Sequence, residues 1–282
     1  MSIRILADST CYLPKEYIEK YNISIASLNV ILNNKNYREI DIENTWFYNE
    51  MAKSPSIPTS SQPSIDELYN IIENLVKDGH DVVCVFISSD MSGTYSSSHL
   101  VKEMIIEKYP NANIRLIDSR SNCMQAGYAI LEAARAADDN RSLDEVVDIA
   151  NNVINNSRFI FVPDVLDYLK KGGRIGGASA LLGSILQIKP ILTVENGKTT
   201  VFTKVRTKKK AIDKIVESVI EQNNKKQIKE LIVHHINCEN EGLELAEKLR
   251  SALKLSEVKL QSIGPIIGLH VGPGSIGVAY HY

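Results

Sequence analysis

Three apolar, β-rich runs, Ile3–Ala7, Val82–Ile87 and Ile114–Ile117, each pass through a short polar loop into a segment with helical character. Parallel strands need a crossover that carries the chain back to the same end of the sheet, and a helix is the usual one, so this rhythm predicts parallel β-α units. Between Gly93 and Lys108, the reading places Leu100, Met104 and Ile105 on one helical face, and Met124 to Ala137 is rich in Ala and Leu with charged punctuation. A doubly wound parallel sheet is expected for the first half.

A second rhythm begins at Phe159–Val162. It continues through strand-like Ile191–Val194 and Thr199–Val205 around the turn Glu195-Asn196-Gly197, and reaches a helix at Lys208–Gln222. Leu231–His235 reads as a strand, Glu241–Leu253 as a helix, Val258–Ile263 as another strand, and the polar tract Gln222–Gln227 as a loop. A chain of 282 residues exceeds the size at which one core usually keeps growing. The expectation is an α/β protein of two α/β domains. Residues 1–156 carry the doubly wound parallel sheet, and residues 157–282 a mixed sheet with helices.

Composition excludes several classes. The 32 basic residues nearly balance the 34 acidic ones, which gives no broad electrostatic reason to bind nucleic acid. The apolar run from Ala178 is broken by Gly183 and Ser184 and stops at Gln187, too short for a bilayer span. Cys11, Cys84, Cys123 and Cys238 form no C-x-x-C pair, and nothing like a signal peptide precedes Ile3, so a reducing cytoplasm is expected. His234-His235 lacks further ligands at metal-like spacing and reads as structural, so no metal is expected. Lys208-Lys209-Lys210, with Lys204 nearby, is either a solvated helix start or a dock for an acidic partner or for headgroups during transient membrane contact.

The chemistry points to an acidic ligand with an apolar body. Arg174 lies in the run Lys170-Lys171-Gly172-Gly173-Arg174-Ile175-Gly176-Gly177, ahead of the nearly charge-free stretch Ala178–Leu192. A guanidinium offers several donors to an anion, and the stretch could wall an apolar tail or simply be buried helix and strand. Each N-terminal strand ends in hydroxyls: Asp8-Ser9-Thr10, Ser88 to Thr94, and Asp118 to Ser121. Carboxyl ends of parallel strands bind ligands, and Ser92-Gly93-Thr94 opens a helix whose free N–H groups favour an anion. The same residue types are also ordinary helix caps. Pro58 to Ser64 is a further hydroxyl cluster, read as a loop ahead of the helix Asp66–Lys77. From Gly264 to Gly274, glycines surround His270, implying tight turns or close approach, with His270 either a donor to an anion or structural.

Taken jointly, Ala7-Asp8-Ser9-Thr10, Thr59 to Ser64, Ser92-Gly93-Thr94, Asp118-Ser119, Leu169 to Ile175, Ile188 to Ile191 and His270-Val271-Gly272-Pro273-Gly274 resemble the DegV family from end to end. The resemblance implies a bacterial two-domain lipid carrier, not an enzyme. On that resemblance it binds one long-chain fatty acid between the two domains, with the tail buried and the carboxylate held by hydrogen bonds, and needs no other cofactor. It further implies a partner, a separate ATP-dependent fatty acid kinase subunit that phosphorylates the carboxylate for phospholipid synthesis. This chain has no G-x-x-x-x-G-K-[ST] loop of its own. Carried over, Ser60 and Ser92 hold the carboxylate with His270 as a further donor, and Arg174 and Arg206 steady the head group or the phosphoryl group. The family usually has Thr where this chain has Ser60, which keeps the hydroxyl but is less stiff at χ1. Two alternatives use the same residues: a serine esterase or acyl transferase built on Ser92 and His270, although no G-x-S-x-G elbow is present, and a binder of phosphate-bearing ligands.

Overall fold

The computed structural model describes residues 2–181 and 188–282. Its first strands are β1 (Ile3–Asp8), β2 (Ser24–Ala26), β3 (Asn29–Leu32), β4 (Lys35–Arg38), β5 (Thr59–Ser61), β6 (Asp81–Phe86) and β7 (Ile114–Asp118). Then follow β8 (Ser157–Val162), β9 (Lys189–Glu195), β10 (Lys198–Val205), β11 (Glu230–His235), β12 (Lys259–Ser262) and β13 (Ile276–His281). The fold is α/β, with an N-terminal parallel sheet ordered β2-β1-β6-β7 and a C-terminal mixed sheet ordered β10-β9-β8-β13-β11-β12.

The parallel sheet is doubly wound, because the chain moves outward from β1 to β2 and then returns to β6 on the other side of β1. Val82 to Phe86 are almost wholly inaccessible, since helices cover both faces. On one face lie helices Ile65–Lys77 and Thr94–Lys108, which bury Leu68, Ile72, Val101 and Ile105. On the other lies helix Cys123–Asp138, sandwiched between the two sheets and buried along most of its length. Its small side chains permit that packing; a Cβ on Gly127 would lie 3.0 Å from the Cys11 carbonyl oxygen. One apolar core therefore runs from Ile5 and Val85 through Ala129 and Ala133 to Phe159, Phe161 and Ala279. Helices Lys208–Lys225 and Glu239–Leu253 cover the outer face of the mixed sheet through Ile215, Val219, Leu245 and Leu249.

Several local expectations are corrected. Leu100 and Met104 are exposed, and the buried stripe of their helix is Thr94, Ser98, Val101 and Ile105, in which short hydroxyl side chains take core positions. The tract from Gln222 continues the preceding helix through Lys225. Ser60 lies on β5, which pairs with β3 in a three-stranded antiparallel sheet rather than in a loop. The glycine-spaced segment forms helix Pro265–Val271, with positive φ confined to Gly272 and Gly274 just after it. β13, which lies between β8 and β11, and helix Leu143–Asn155 had no counterpart in the sequence reading.

Candidate functional site

At the topological switch between β1 and β6, where strand order reverses, α/β sheets leave a crevice. A cavity of about 330 Å³ adjoins it, lined by Ile87, Met91 and Ser92 beyond β6. Ser60 and Gln62 enter from β5 and its loop, Phe159 and Phe161 from β8, and Ile266, Ile267 and His270 from helix Pro265–Val271. A smaller space of about 10 Å³ shares Phe159, Phe161, Ile267 and Val271 and extends the apolar lining towards Ile236 and Ile276. Half of the lining residues are aliphatic or aromatic, and the others include hydroxyls, the amides of Gln62 and Asn122, the Arg174 guanidinium and one imidazole, a composition that suits an amphipathic molecule.

The polar groups are brought together from distant parts of the chain. Ser60 Oγ lies 2.8 Å from His270 Nε2. His270 Nδ1 is buried without a partner and packs against Gly172, where any side chain would collide with the ring. Burial, and secondarily the charge of Arg174, pushes the His270 imidazole down to about 4, so it is neutral near pH 7. Ser92 Oγ lies 2.9 Å from Thr94 Oγ1, just before a helix whose N-terminus has no side-chain cap. A neutral imidazole, two hydroxyls and free helix N–H groups can together solvate one carboxylate.

Arg174 lines the cavity, but three of its five N–H groups bond backbone: Nε and Nη2 donate to the Met91 carbonyl at 3.2 and 3.1 Å, and Nη1 to the Gly172 carbonyl at 2.7 Å. It thereby pins the Met91–Ser92 loop to the turn ahead of it. Arg206 is exposed beyond the end of β10 and is not among the residues lining the cavity. Ser92 and His270 each bond a different hydroxyl, so they do not form the nucleophile and base pair that an esterase needs. Of the stretch Ala178–Leu192, residues 182–187 lie outside the described residues, and none of the described ones lines the cavity.

Of the other hydroxyl loops, the first caps the short 3-10 helix Ser9–Cys11 and the third braces neighbouring loops. Asp8 accepts from Thr10 N at 3.0 Å and from Ile87 N at 2.6 Å, tying the end of β1 to the end of β6, while Asp118 accepts from Ser89 N and Arg120 N at 3.2 and 2.9 Å. The sequence reading missed Gln62, Asn122 and Thr199 in the lining, and above all Glu39 behind it. Buried Glu39 accepts from Ser9 Oγ, from Tyr12 Oη at 2.8 Å and from Ile266 N at 2.8 Å, and Tyr12 Oη accepts from Ile267 N at 3.1 Å. The carboxylate and phenol thus cap the short helix that carries His270. No local signal marks Glu39, because its partners lie 30, 27 and 227 residues away.

Residues 2–282 match the family described as uncharacterised proteins of the DegV family. The chain belongs to the DegV family. A DegV domain-containing protein of Clostridium acetobutylicum is 50% identical over 281 residues, covering 100% of this chain and 98% of the relative. Among solved structures, DegV of Bacillus subtilis, described as a fatty acid binding protein, matches with 34% identity and a TM-score of 0.89, covering 100% of this DegV chain and 99% of its own. A stearic acid-binding protein from Eubacterium ventriosum matches with 29% identity and a TM-score of 0.91, covering 99% and 98% respectively. The two solved structures are described by what they bind.

Proposed function

We propose that this chain is a lipid carrier that binds one long-chain fatty acid in the cavity, with the carboxylate at Ser60, Ser92 and His270 and the tail along Ile87, Phe159, Phe161 and Ile267. The observation that supports this reading is the pairing of Ser60 with neutral His270 in a cavity whose remaining lining is mainly apolar. A carboxylate leaving water needs such donors, and hydrogen bonds to a charged group contribute about 1.5–3 kcal/mol each. Each buried methylene adds roughly 0.8 kcal/mol, so a long acyl chain would survive purification. The acid is presented to a separate ATP-dependent kinase subunit for acyl phosphate formation. Arg174 orders the loop under the head group, and exposed Arg206 would meet the partner or the phosphoryl group during transfer. The division at residues 156 and 157 belongs to the same proposal, since the cavity takes Ser60 and Ser92 from one side of it and Phe159 and His270 from the other.

Mass spectrometry of the purified protein, native and then after denaturation with organic extraction, tests the reading. One fatty acid per chain released on unfolding is the expected result. A bare protein that also fails to take up added oleate or stearate overturns it, and competition by inorganic phosphate would favour a phosphate-ligand site instead.

A further inference from the structure

Away from the cavity, three elements converge on a second cluster. Glu230 opens β11 and His281 closes β13, and the two residues face each other directly in the antiparallel register. Glu132 reaches the same place from helix Cys123–Asp138. One ligand atom from each of Glu132, Glu230 and His281 lies within 4.8 Å of the others. Directly opposed residues project to the same face of a sheet, which explains why the imidazole meets the Glu230 carboxylate.

We propose that Glu132, Glu230 and His281 form a binding site for a divalent transition-metal ion of the zinc type. His281 is 0% exposed, and neither ring nitrogen has a hydrogen-bond partner. A buried imidazole in that state has given up its bonds to water without replacing them, which an incoming ligand would reverse. The Tyr128 ring, 4.6 Å away and tilted by 34°, packs against the imidazole and offers it no polar partner. The carboxylate side chains are 22% and 32% exposed, so an ion has a route in from solvent on their side. The donor set decides the class of ion: one imidazole and two carboxylates suit zinc, leaving a position for water, whereas calcium and magnesium prefer oxygen ligands alone.

Arg135 is the resident cation. Its Nη1 donates at 2.5 Å to one oxygen of each carboxylate and touches neither imidazole nitrogen among the bonds of the cluster. The metal therefore competes with Arg135 for the two carboxylates and gains the imidazole, which the guanidinium leaves unused.

The experiment is titration of the chelator-treated full chain with zinc chloride, and with cobalt chloride to read coordination from its visible absorption. One ion per chain, with the absorption of four-coordinate cobalt, is expected. His281→Phe keeps the ring contact with Tyr128 and should weaken binding by about 100-fold or more, at least the upper cost of losing an outer partner of a metal ligand. Glu230→Gln, at a half-buried position, gives the same test if His281→Phe does not fold, and Arg135→Gln should tighten binding by removing the competing cation. Failure to bind one equivalent, binding unchanged in His281→Phe or in Glu230→Gln, or weaker binding in Arg135→Gln would each overturn the proposal. Fatty acid uptake should be unaltered in Glu230→Gln, which separates this site from the cavity.

Discussion

His270 owes its chemistry to its surroundings. An exposed imidazole titrates near 6.5, but burial and the neighbouring Arg174 push this one down to about 4, so near pH 7 it is a neutral group held by Ser60. Ser92 contributes a hydroxyl that already bonds Thr94 and can turn towards a ligand at little cost. On the proposed reading, removing both groups would leave a bound carboxylate short of donors. The double change Ser92→Ala with His270→Ala is expected to lower fatty acid affinity by about 100-fold, read by displacement of a fluorescent fatty acid, with the circular dichroism spectrum preserved. Unchanged affinity would place the carboxylate elsewhere.

Helix Pro265–Val271 is only 7 residues long and cannot hold itself together in water, so its orientation depends on what caps it. Glu39 and Tyr12 do this by accepting from Ile266 N and Ile267 N. Burial pushes the Glu39 carboxyl up from 4.5 to about 7, against the hydrogen bonds that favour its charged form. A carboxyl raised in the folded state contributes stability that is full below the unfolded value and is lost as pH rises through the folded one. The wild type should therefore lose about 3 kcal/mol relative to Glu39→Gln between pH 4.5 and 7, measured by urea unfolding of both proteins. A pH-independent difference would show that Glu39 ionises freely. Other elements were plain from the sequence: Asn196 and Gly197 have φ of 50° and 83°, the two left-handed residues that a tight hairpin between β9 and β10 requires. Ser142 and Glu145 form a reciprocal capping box, a signal present in the sequence that would have marked helix Leu143–Asn155.

At the scale of the molecule, the cavity is lined from both sheets' surroundings, and a ligand there joins surfaces that would otherwise face open space. A ligand that binds only the folded state stabilises it by about 2.7 kcal/mol at a hundredfold excess over its Kd. Protein stripped of lipid should therefore unfold several degrees below the same protein refilled with stearate, by scanning calorimetry, and equal transitions would argue against a buried tail. The hairpin between β9 and β10 is also fastened across the molecule: Ser88 Oγ donates to the Gly197 carbonyl at 2.8 Å, and Lys198 pairs with Asp90 at 3.3 Å. This places Thr199 in the cavity lining.

The alternation of strands and helices, the Asn-Gly hairpin, the caps and the family were all determined by the sequence itself, because periodicity and backbone preference act over a few residues. Leu100 and Met104 were misread for a related reason, since a helix can bury Thr94 and Ser98 when short hydroxyls fit a close approach. Only the tertiary structure decided that Ser60 meets His270 across 210 residues, that Arg174 directs three of its N–H groups to backbone carbonyls, and that Glu39 stands behind the site. The same holds for Glu132, Glu230 and His281, which share no spacing motif. A polar side chain takes its partner and its pKa from whatever the packing of sheets and helices places beside it, and that is a long-range property no local pattern carries.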